Sequence, residues 1–325
     1  MSIKRIIVCI VLASVAITII VGLNYLVIPF RSLLWNELSD FGHFPLFAVV
    51  ALALFGIIVN LPGTRQRRRQ TQYLLAFAAV LVAGALSEFS QVTGPRDADA
   101  WDLARNVSGS LVALMILATF DSRMTGSGAW KKPAFRNGLR AAAIILLLAN
   151  FAPVAIRAEA YRQRAARMPV LHSFDSPWEL IFMDAYGATI ELVPPPKDWV
   201  DNDNRLVGKL TFHPGRFPGV NFREPYPDWS PYRYLDLKLY SEQDEDVDVV
   251  IRIDDMHSDY VYEDRFNKQM TLGPGWNSLR ISLEEVRSDP KERELDMTAI
   301  ARVILFVVRP EEPISLYLVD MKLEP

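Results

Sequence analysis

The sequence predicts a two-part protein: an α-helical transmembrane bundle of five helices, followed by an all-β antiparallel sandwich of jelly-roll type. Three observations predict it. Long apolar runs crowd the first 160 residues. Charge divides at the same place: up to Arg167 there are 18 Lys+Arg against 8 Asp+Glu, and from Met168 onward 17 against 30, so +10 is followed by −13. Beyond Met168 the apolar pattern changes to a period of two. A chain of 325 residues has room for two domains, and such asymmetry points to two environments. The expected division is a membrane domain over 1–160, a linker over 161–169 and a β-domain over 170–325.

The apolar runs are 6–28, 41–61, 73–89, 103–120 and 141–156. A helix needs roughly 20 residues to cross the hydrocarbon core. The first, second and fourth runs meet that length, while the third and fifth are short or partly polar. Residues 1–28 have the basic start of a signal peptide, but their apolar stretch exceeds the roughly 7–15 residues of such a segment, so an uncleaved helix is expected. Alternate loops are basic. Lys4 and Arg5, then Arg65, Arg67, Arg68 and Arg69, then Arg123, Lys131, Lys132, Arg136 and Arg140 fall on one side, against only Arg31 and Arg96 on the other. The positive-inside rule then puts the N-terminus in the cytoplasm and the end of the fifth helix outside, in the periplasm or beyond the cell. Trp35 and Trp101 sit where outer-interface aromatics belong. Residues 157–167 are basic and helix-prone, which runs against that rule on an outer stretch. The single cysteine, Cys9, excludes a disulfide framework and a thiolate metal site.

Polar residues recur on the apolar helices near the outer end. Asp40 and His43 open the second, Glu88 and Gln91 share a face of the third, and Asp99, Asp102, Asn106 and Gly109 recur at helical spacing on the fourth. Arg96 lies in the loop between and is the expected cation for Glu88 or Asp102. Ionisable groups at membrane depth face protein or a water cavity. One reading is an interhelical lock, with Asp97 or Asp99 capping the fourth helix. The other is a headgroup or glycolipid site in which His43 and Glu88 act as acid and base, with Arg96 and Asp102 as further catalytic candidates.

This ordered set, over about residues 30–122, resembles the VanZ-like family. The resemblance implies a small helical membrane domain whose founding members confer low-level teicoplanin resistance, and it brings no reaction with it. The Lys that the family has between the Asp and the His is replaced here by Phe41-Gly42, and the fifth helix lies outside the matched region.

In the second half, Leu235, Leu237 and Leu239 alternate with polar residues, as do Val247, Val249, Ile251 and Ile253, and later Leu279, Ile281 and Leu283. Further strands are expected at 187–193, 205–213, 219–223, 301–308 and 315–323. Pro, Gly and Asp punctuation without helical crossovers indicates two packed antiparallel sheets. The order of Tyr232-Arg233-Tyr234, Ile251-Arg252-Ile253-Asp254-Asp255, Arg265-Phe266, Gly273-Pro274-Gly275-Trp276-Asn277 and Leu318-Val319-Asp320 resembles galactose-binding-like sandwiches of carbohydrate-binding modules. Sugar recognition needs flat apolar faces beside fixed donors and acceptors. The candidates are Trp229, Tyr232, Asp255, His257, Tyr260, Tyr262 and Arg265, centred on a polar and aromatic stretch at 254–266 that also reads as a solvated connection. Trp276, after a turn, is assigned to the core. The acidic runs 201–203 and 244–248 offer oxygen ligands of the kind Ca²⁺ takes, but without EF-hand spacing they read as solvated turns.

No P-loop, dinucleotide fingerprint, zinc motif or nucleophile elbow occurs, so no cofactor and no metal are expected. The basic loops are explained by topology and imply no nucleic acid. The expected partners are membrane lipids and an envelope polysaccharide or lipid-linked glycan. The leading function is therefore a membrane protein with an extracytoplasmic glycan-binding module, acting in cell-envelope or polysaccharide processes or in glycopeptide tolerance. Two alternatives stand beside it: an enzyme acting on a lipid headgroup or glycolipid through Glu88, His43 and Arg96, and an anchored adaptor for a protein partner. The sequence leaves open whether the chain is catalytic and how it oligomerises.

Overall fold

Five helices are long and apolar enough to cross a membrane among the described residues of the computed structural model, which are 1–25, 32–91, 99–126, 128–196, 199, 206–259 and 261–325. They are α1 (Ile3–Tyr25), α2 (Leu33–Asn60), α3 (Arg69–Gln91), α4 (Ala100–Phe120) and α5 (Pro133–Ala166). The chain divides into two compact units, Met1–Ala158 and Glu159–Pro325.

In the first unit, α2 starts well before the apolar run that announced it. Ser32 caps it, its hydroxyl accepting from Trp35 N at 3.2 Å. The turns between Ser32 and Phe41 are polar because Glu37 and Asp40 face basic partners there rather than apolar ones. The helical core gathers Phe47, Ala51 and Phe55 of α2, Tyr73, Ala76 and Val80 of α3, and Leu114 and Ala118 of α4. Phe55 and Tyr73 stack with ring centroids 4.3 Å apart. Below them Asp121 accepts from Arg69 Nε at 2.5 Å and from the Tyr73 hydroxyl at 3.0 Å. α2 approaches α4 tightly at Gly109, where a Cβ would lie 2.0 Å from the Phe44 carbonyl oxygen.

The second unit is a sandwich of two antiparallel sheets. Its strands are β1 (Val170–His172), β2 (Met183–Tyr186), β3 (Ala188–Val193), β4 (Val207–Phe212), β5 (Gly219–Arg223), β6 (Tyr234–Ser241), β7 (Val247–Asp255), β8 (Phe266–Leu272), β9 (Gly275–Ser282), β10 (Ile300–Val307) and β11 (Ile314–Glu324). One sheet runs β3-β4-β11-β6-β9, with β1 also pairing with β11, and the other runs β2-β5-β10-β7-β8. Alternate residues face inward: Leu235, Leu237 and Leu239 from one sheet meet Val249, Ile251, Ile253, Val303 and Leu305 from the other. β1, β2 and β8 were not expected. The first two are short, and β8 begins at Phe266, where the stretch read as a solvated connection ends.

Acid stability of this unit follows from its ion pairs. The Arg293 guanidinium holds the Asp264 carboxyl down to about 2, and it also keeps Asp255 below the usual carboxylate range although burial works to raise it. A carboxyl depressed in the folded state stabilises it above the unfolded value of about 3.9, and that stability is lost as pH falls through the folded value. The sandwich is therefore expected to lose stability between about pH 4 and pH 2, and Arg293→Met is expected to remove much of that slope. Denaturation midpoints measured across this range check it; a flat profile in the wild-type chain would contradict it.

Candidate functional site

In the helical unit the polar residues form a connected chain at the α2–α4 contact. His43 is fully buried. Its Nδ1 lies 3.1 Å from Asn106 Oδ1 and its Nε2 lies 3.3 Å from Asp102 Oδ2. Asn106 Nδ2 donates to Glu88 Oε1 at 3.3 Å, which turns the amide oxygen towards His43. His43 then donates from Nδ1, and its Nε2 faces the Asp102 carboxylate. Ser110 Oγ closes the contact with bonds to the Asn106 carbonyl at 2.8 Å and the Phe47 carbonyl at 3.2 Å. Gly109 makes this geometry possible by admitting the Phe44 backbone.

Among the described residues the cations of this cluster are Arg105 and Arg157. Arg105 Nη1 reaches Asp102 Oδ1 at 2.9 Å, with Glu37 at 3.6 Å and Asp40 at 3.8 Å, and Arg157 Nε donates to Glu37 Oε2 at 2.7 Å. Arg105, Arg157 and Glu37 were missed, although Arg105 lies three residues beyond Asp102 on one helix face and Arg157 opens the basic stretch at odds with the inside rule. Asp99 stands apart from the cluster as the exposed cap of α4, accepting from Trp101 N at 2.9 Å. Arg96, Asp97 and the Gln91 side chain lie outside the described residues.

The ligand candidates of the β-unit disperse. Trp229 is fully buried, with Nε1 donating to the Tyr226 carbonyl at 2.8 Å, so it belongs to the core and has no face for a sugar. Tyr232 packs against that core and lines a cleft of about 530 Å³ beside Glu284, Arg287 and Thr298. Asp255 is buried by the Arg293 ion pair and by the Asp296 amide at 2.8 Å. His257 is exposed, 3.5 Å from Asp296. Tyr260 lies outside the described residues. Tyr262 is exposed, with the Arg265 guanidinium 5.4 Å from its ring centroid.

Trp276 corrects the opposite assignment. It is half exposed because it is out of phase with Leu279 and Ile281 on β9 and so points outward. A single cross-strand row there reads Glu191, Lys209, Tyr317, Tyr240 and Trp276, with the Trp199 ring 4.4 Å from that of Trp276.

The outer face of the five-stranded sheet gathers more chemistry than any of these. Register places three rows across it. The first holds Tyr186, Gly219, Phe306, Val250 and Gln269; the second Asp184, Asn221, Ile304, Arg252 and Asn267; the third Arg223, Arg302 and Asp254, with Arg265 immediately before β8. Gly219 is required where it stands, since a Cβ there would lie 2.7 Å from the Tyr186 hydroxyl and 2.8 Å from Phe306 Cβ. The Tyr186 side chain thus crosses the sheet at Gly219, with its hydroxyl over that position and its ring half exposed. Burial pushes the Tyr186 phenol up, while Arg252, Arg302 and Arg265 pull it down. Asn221 Oδ1 and Asn267 Nδ2 are buried without a hydrogen-bond partner among the described residues. Of the face residues only Arg265 was a ligand candidate, because the others come from five strands far apart in sequence.

Among the described residues no three His, Cys, Asp or Glu side chains gather as a metal cage. Of the acidic runs, 201–203 lies outside the described residues, and Asp248 of the other accepts from Thr271 Oγ1 at 2.7 Å and Gln269 Nε2 at 2.9 Å.

Neither a protein-family profile nor a curated protein sequence matches the chain. Among solved structures, a family 11 carbohydrate-binding module from Clostridium thermocellum, in complex with a β-1,3-1,4-mixed-linked tetrasaccharide, is 15% identical over 48% of this chain and 94% of its own, with a TM-score of 0.36. A family 28 module specific for non-crystalline cellulose is 10% identical over 49% of this chain and 93% of its own, with a TM-score of 0.33. An exo-β-agarase is 14% identical over 44% of this chain, with a TM-score of 0.35, and the match spans 23% of the agarase.

Proposed function

We propose that this chain is a multi-pass protein of a bacterial cytoplasmic membrane that binds a glycan on the outer face of its five-stranded sheet, outside the cytoplasm, in cell-envelope or polysaccharide processes. The five long apolar helices and the basic alternate loops support the membrane placement and its direction. One observation carries the binding half. A sheet face brings an exposed, sheet-crossing tyrosine together with buried amide atoms that have no hydrogen-bond partner among the described residues, and a sugar offers C–H faces to the one and hydroxyls to the other. The test is a glycan panel against the full chain in nanodiscs. Tyr186→Ala is expected to weaken binding by about tenfold, a loss within the range of one buried aromatic contact, with near-ultraviolet circular dichroism unchanged. Full affinity in that variant, or no binding by the wild-type chain, overturns the reading.

A second reading rests on the helical unit. His43 stands between Asp102 and Asn106, and Glu88 lies at the far end of the same chain of bonds, which brings a buried imidazole together with two carboxyl groups. This is the equipment for acid–base chemistry on a lipid headgroup or glycolipid. Glu88→Gln and His43→Ala would each abolish turnover of such a substrate while folded protein persists in the membrane. Full cellular function in both variants refutes it.

A further inference from the structure

We infer that the outer face of the five-stranded sheet selects an acidic glycan, one carrying carboxylate, sulfate or phosphate groups along its chain. The inference rests on the proposal that this face binds a glycan and names the class it takes.

The reasoning starts from charge. The chain from Met168 onward carries 17 Lys+Arg against 30 Asp+Glu, so a random patch of its surface is acidic. The second and third rows of the sheet face reverse that. They hold four guanidiniums, from Arg223, Arg252, Arg265 and Arg302, and two carboxylates, from Asp184 and Asp254. Asp254 is fully buried and is shared: it accepts from Arg252 Nε at 2.9 and 3.0 Å and from Arg302 Nε at 2.5 Å. Asp184 lies 3.4 Å from Arg223. Of the further acids, Asp289 accepts from Asn267 N at 3.3 Å, Asp264 is held by Arg293, and Asp248 by Gln269 and Thr271 at the far end of β7. Burial and the neighbouring Arg252 and Arg302 all depress the Arg265 pKa, as expected inside a cluster of positive charge.

A single carboxylate serving two arginines fixes their planes at the sheet surface, where both stay partly exposed. Guanidinium forks match carboxylate, sulfate and phosphate oxygens and stay charged at any physiological pH. The aromatic row lies two residues along each strand from the row of Asn221, Arg252 and Asn267 and four from Arg223 and Arg302, so about 7 and 14 Å at the usual strand rise. A saccharide ring on Tyr186 therefore extends its chain towards the basic rows. A neutral glycan leaves that excess positive charge uncompensated; an acidic one neutralises it.

The experiment is calorimetric titration of the full chain in phosphatidylcholine nanodiscs. Polygalacturonate, a sulfated galactan and a phosphomannan are compared with carboxyl-reduced polygalacturonate of the same length, so the three acid groups are read separately. At least one acidic polymer is expected to bind about tenfold or more tightly than the reduced one, and to lose that margin as salt rises from about 0.05 to 0.5 M. Arg265→Gln and Arg302→Gln are each expected to reduce acidic-polymer affinity by about tenfold without altering near-ultraviolet circular dichroism. Equal binding of acidic and reduced polymers, or a margin untouched by salt and by both variants, overturns acidic selectivity and leaves the glycan reading standing. Binding of none of the polymers, or binding only to phosphatidylserine nanodiscs, overturns both.

Discussion

Gly109→Ala is expected to separate α2 from α4 and to take apart the His43 network. The added methyl would sit 2.0 Å from the Phe44 carbonyl oxygen, 2.8 Å from its carbon and 3.0 Å from its Cα. All three are backbone atoms, so no rotamer relieves the clash and the helices must move apart by about 1 Å or more to reach ordinary contact. Small residues earn their place between apolar helices by permitting this approach. Alanine improves helix propensity by about 1 kcal/mol, while overpacking a close contact costs about 1–3 kcal/mol. His43 is the neighbour of Phe44, and Asn106 and Asp102 lie on the same helix as Gly109. Their 3.1 and 3.3 Å contacts therefore lengthen with the gap, and each buried polar group left unpaired costs a further 1–3 kcal/mol or so. The expected net loss is about 2–4 kcal/mol, read as an earlier thermal transition in detergent. Gly138→Ala on α5 is the control, because a Cβ there meets nothing within 4 Å and should be neutral or slightly stabilising. Equal transitions in the two variants would show that the α2–α4 approach is not what Gly109 secures.

What the sequence made legible follows from the range of each signal. Period and length are local, so the five apolar helices and the long alternating strands could be read directly. A helix that begins in polar turns could not: Leu33–Phe41 forms the start of α2 because Glu37 and Asp40 meet Arg105 and Arg157, partners carried by other helices. The two tryptophans show how a residue type misleads where phase does not. Trp229 was read as a binding aromatic and lies in the core, while Trp276 was read as core and lies at the surface. The alternation of Leu279 and Ile281 already placed Trp276 on the opposite face, whereas the burial of Trp229 depends on packing that no local pattern records. The outer sheet face was hidden for a related reason. Tyr186, Asn221, Arg252 and Arg302 become neighbours only through register, which is set by pairing between strands distant in sequence.

Asp254→Ala is expected to cost the β-unit about 3 kcal/mol, the lower end of the range for breaking a buried pair from one side. The lower end applies because Arg252 and Arg302 are themselves 16% and 24% exposed and water will screen part of their repulsion. Removing the carboxylate deletes three hydrogen bonds at 2.5–3.0 Å and leaves the two guanidiniums facing each other beside Arg265, with no counter-charge between them. Asp254→Asn keeps the shape and loses the charge, so its cost should be smaller. If repulsion is the cause, Asp254→Ala with Arg302→Met should recover part of the loss, a coupling that denaturant titration followed by tryptophan fluorescence can read. No recovery in the double variant would mean that the carboxylate acts through packing alone. Ligand binding separates the causes further. A face that has lost Asp254 carries one more net positive charge, so a polyanion should rescue the single variant more strongly than the wild type, raising its denaturation midpoint in proportion to the repulsion it relieves. A neutral saccharide offers no such relief, and the same variant should then gain no more from the ligand than the wild-type chain does.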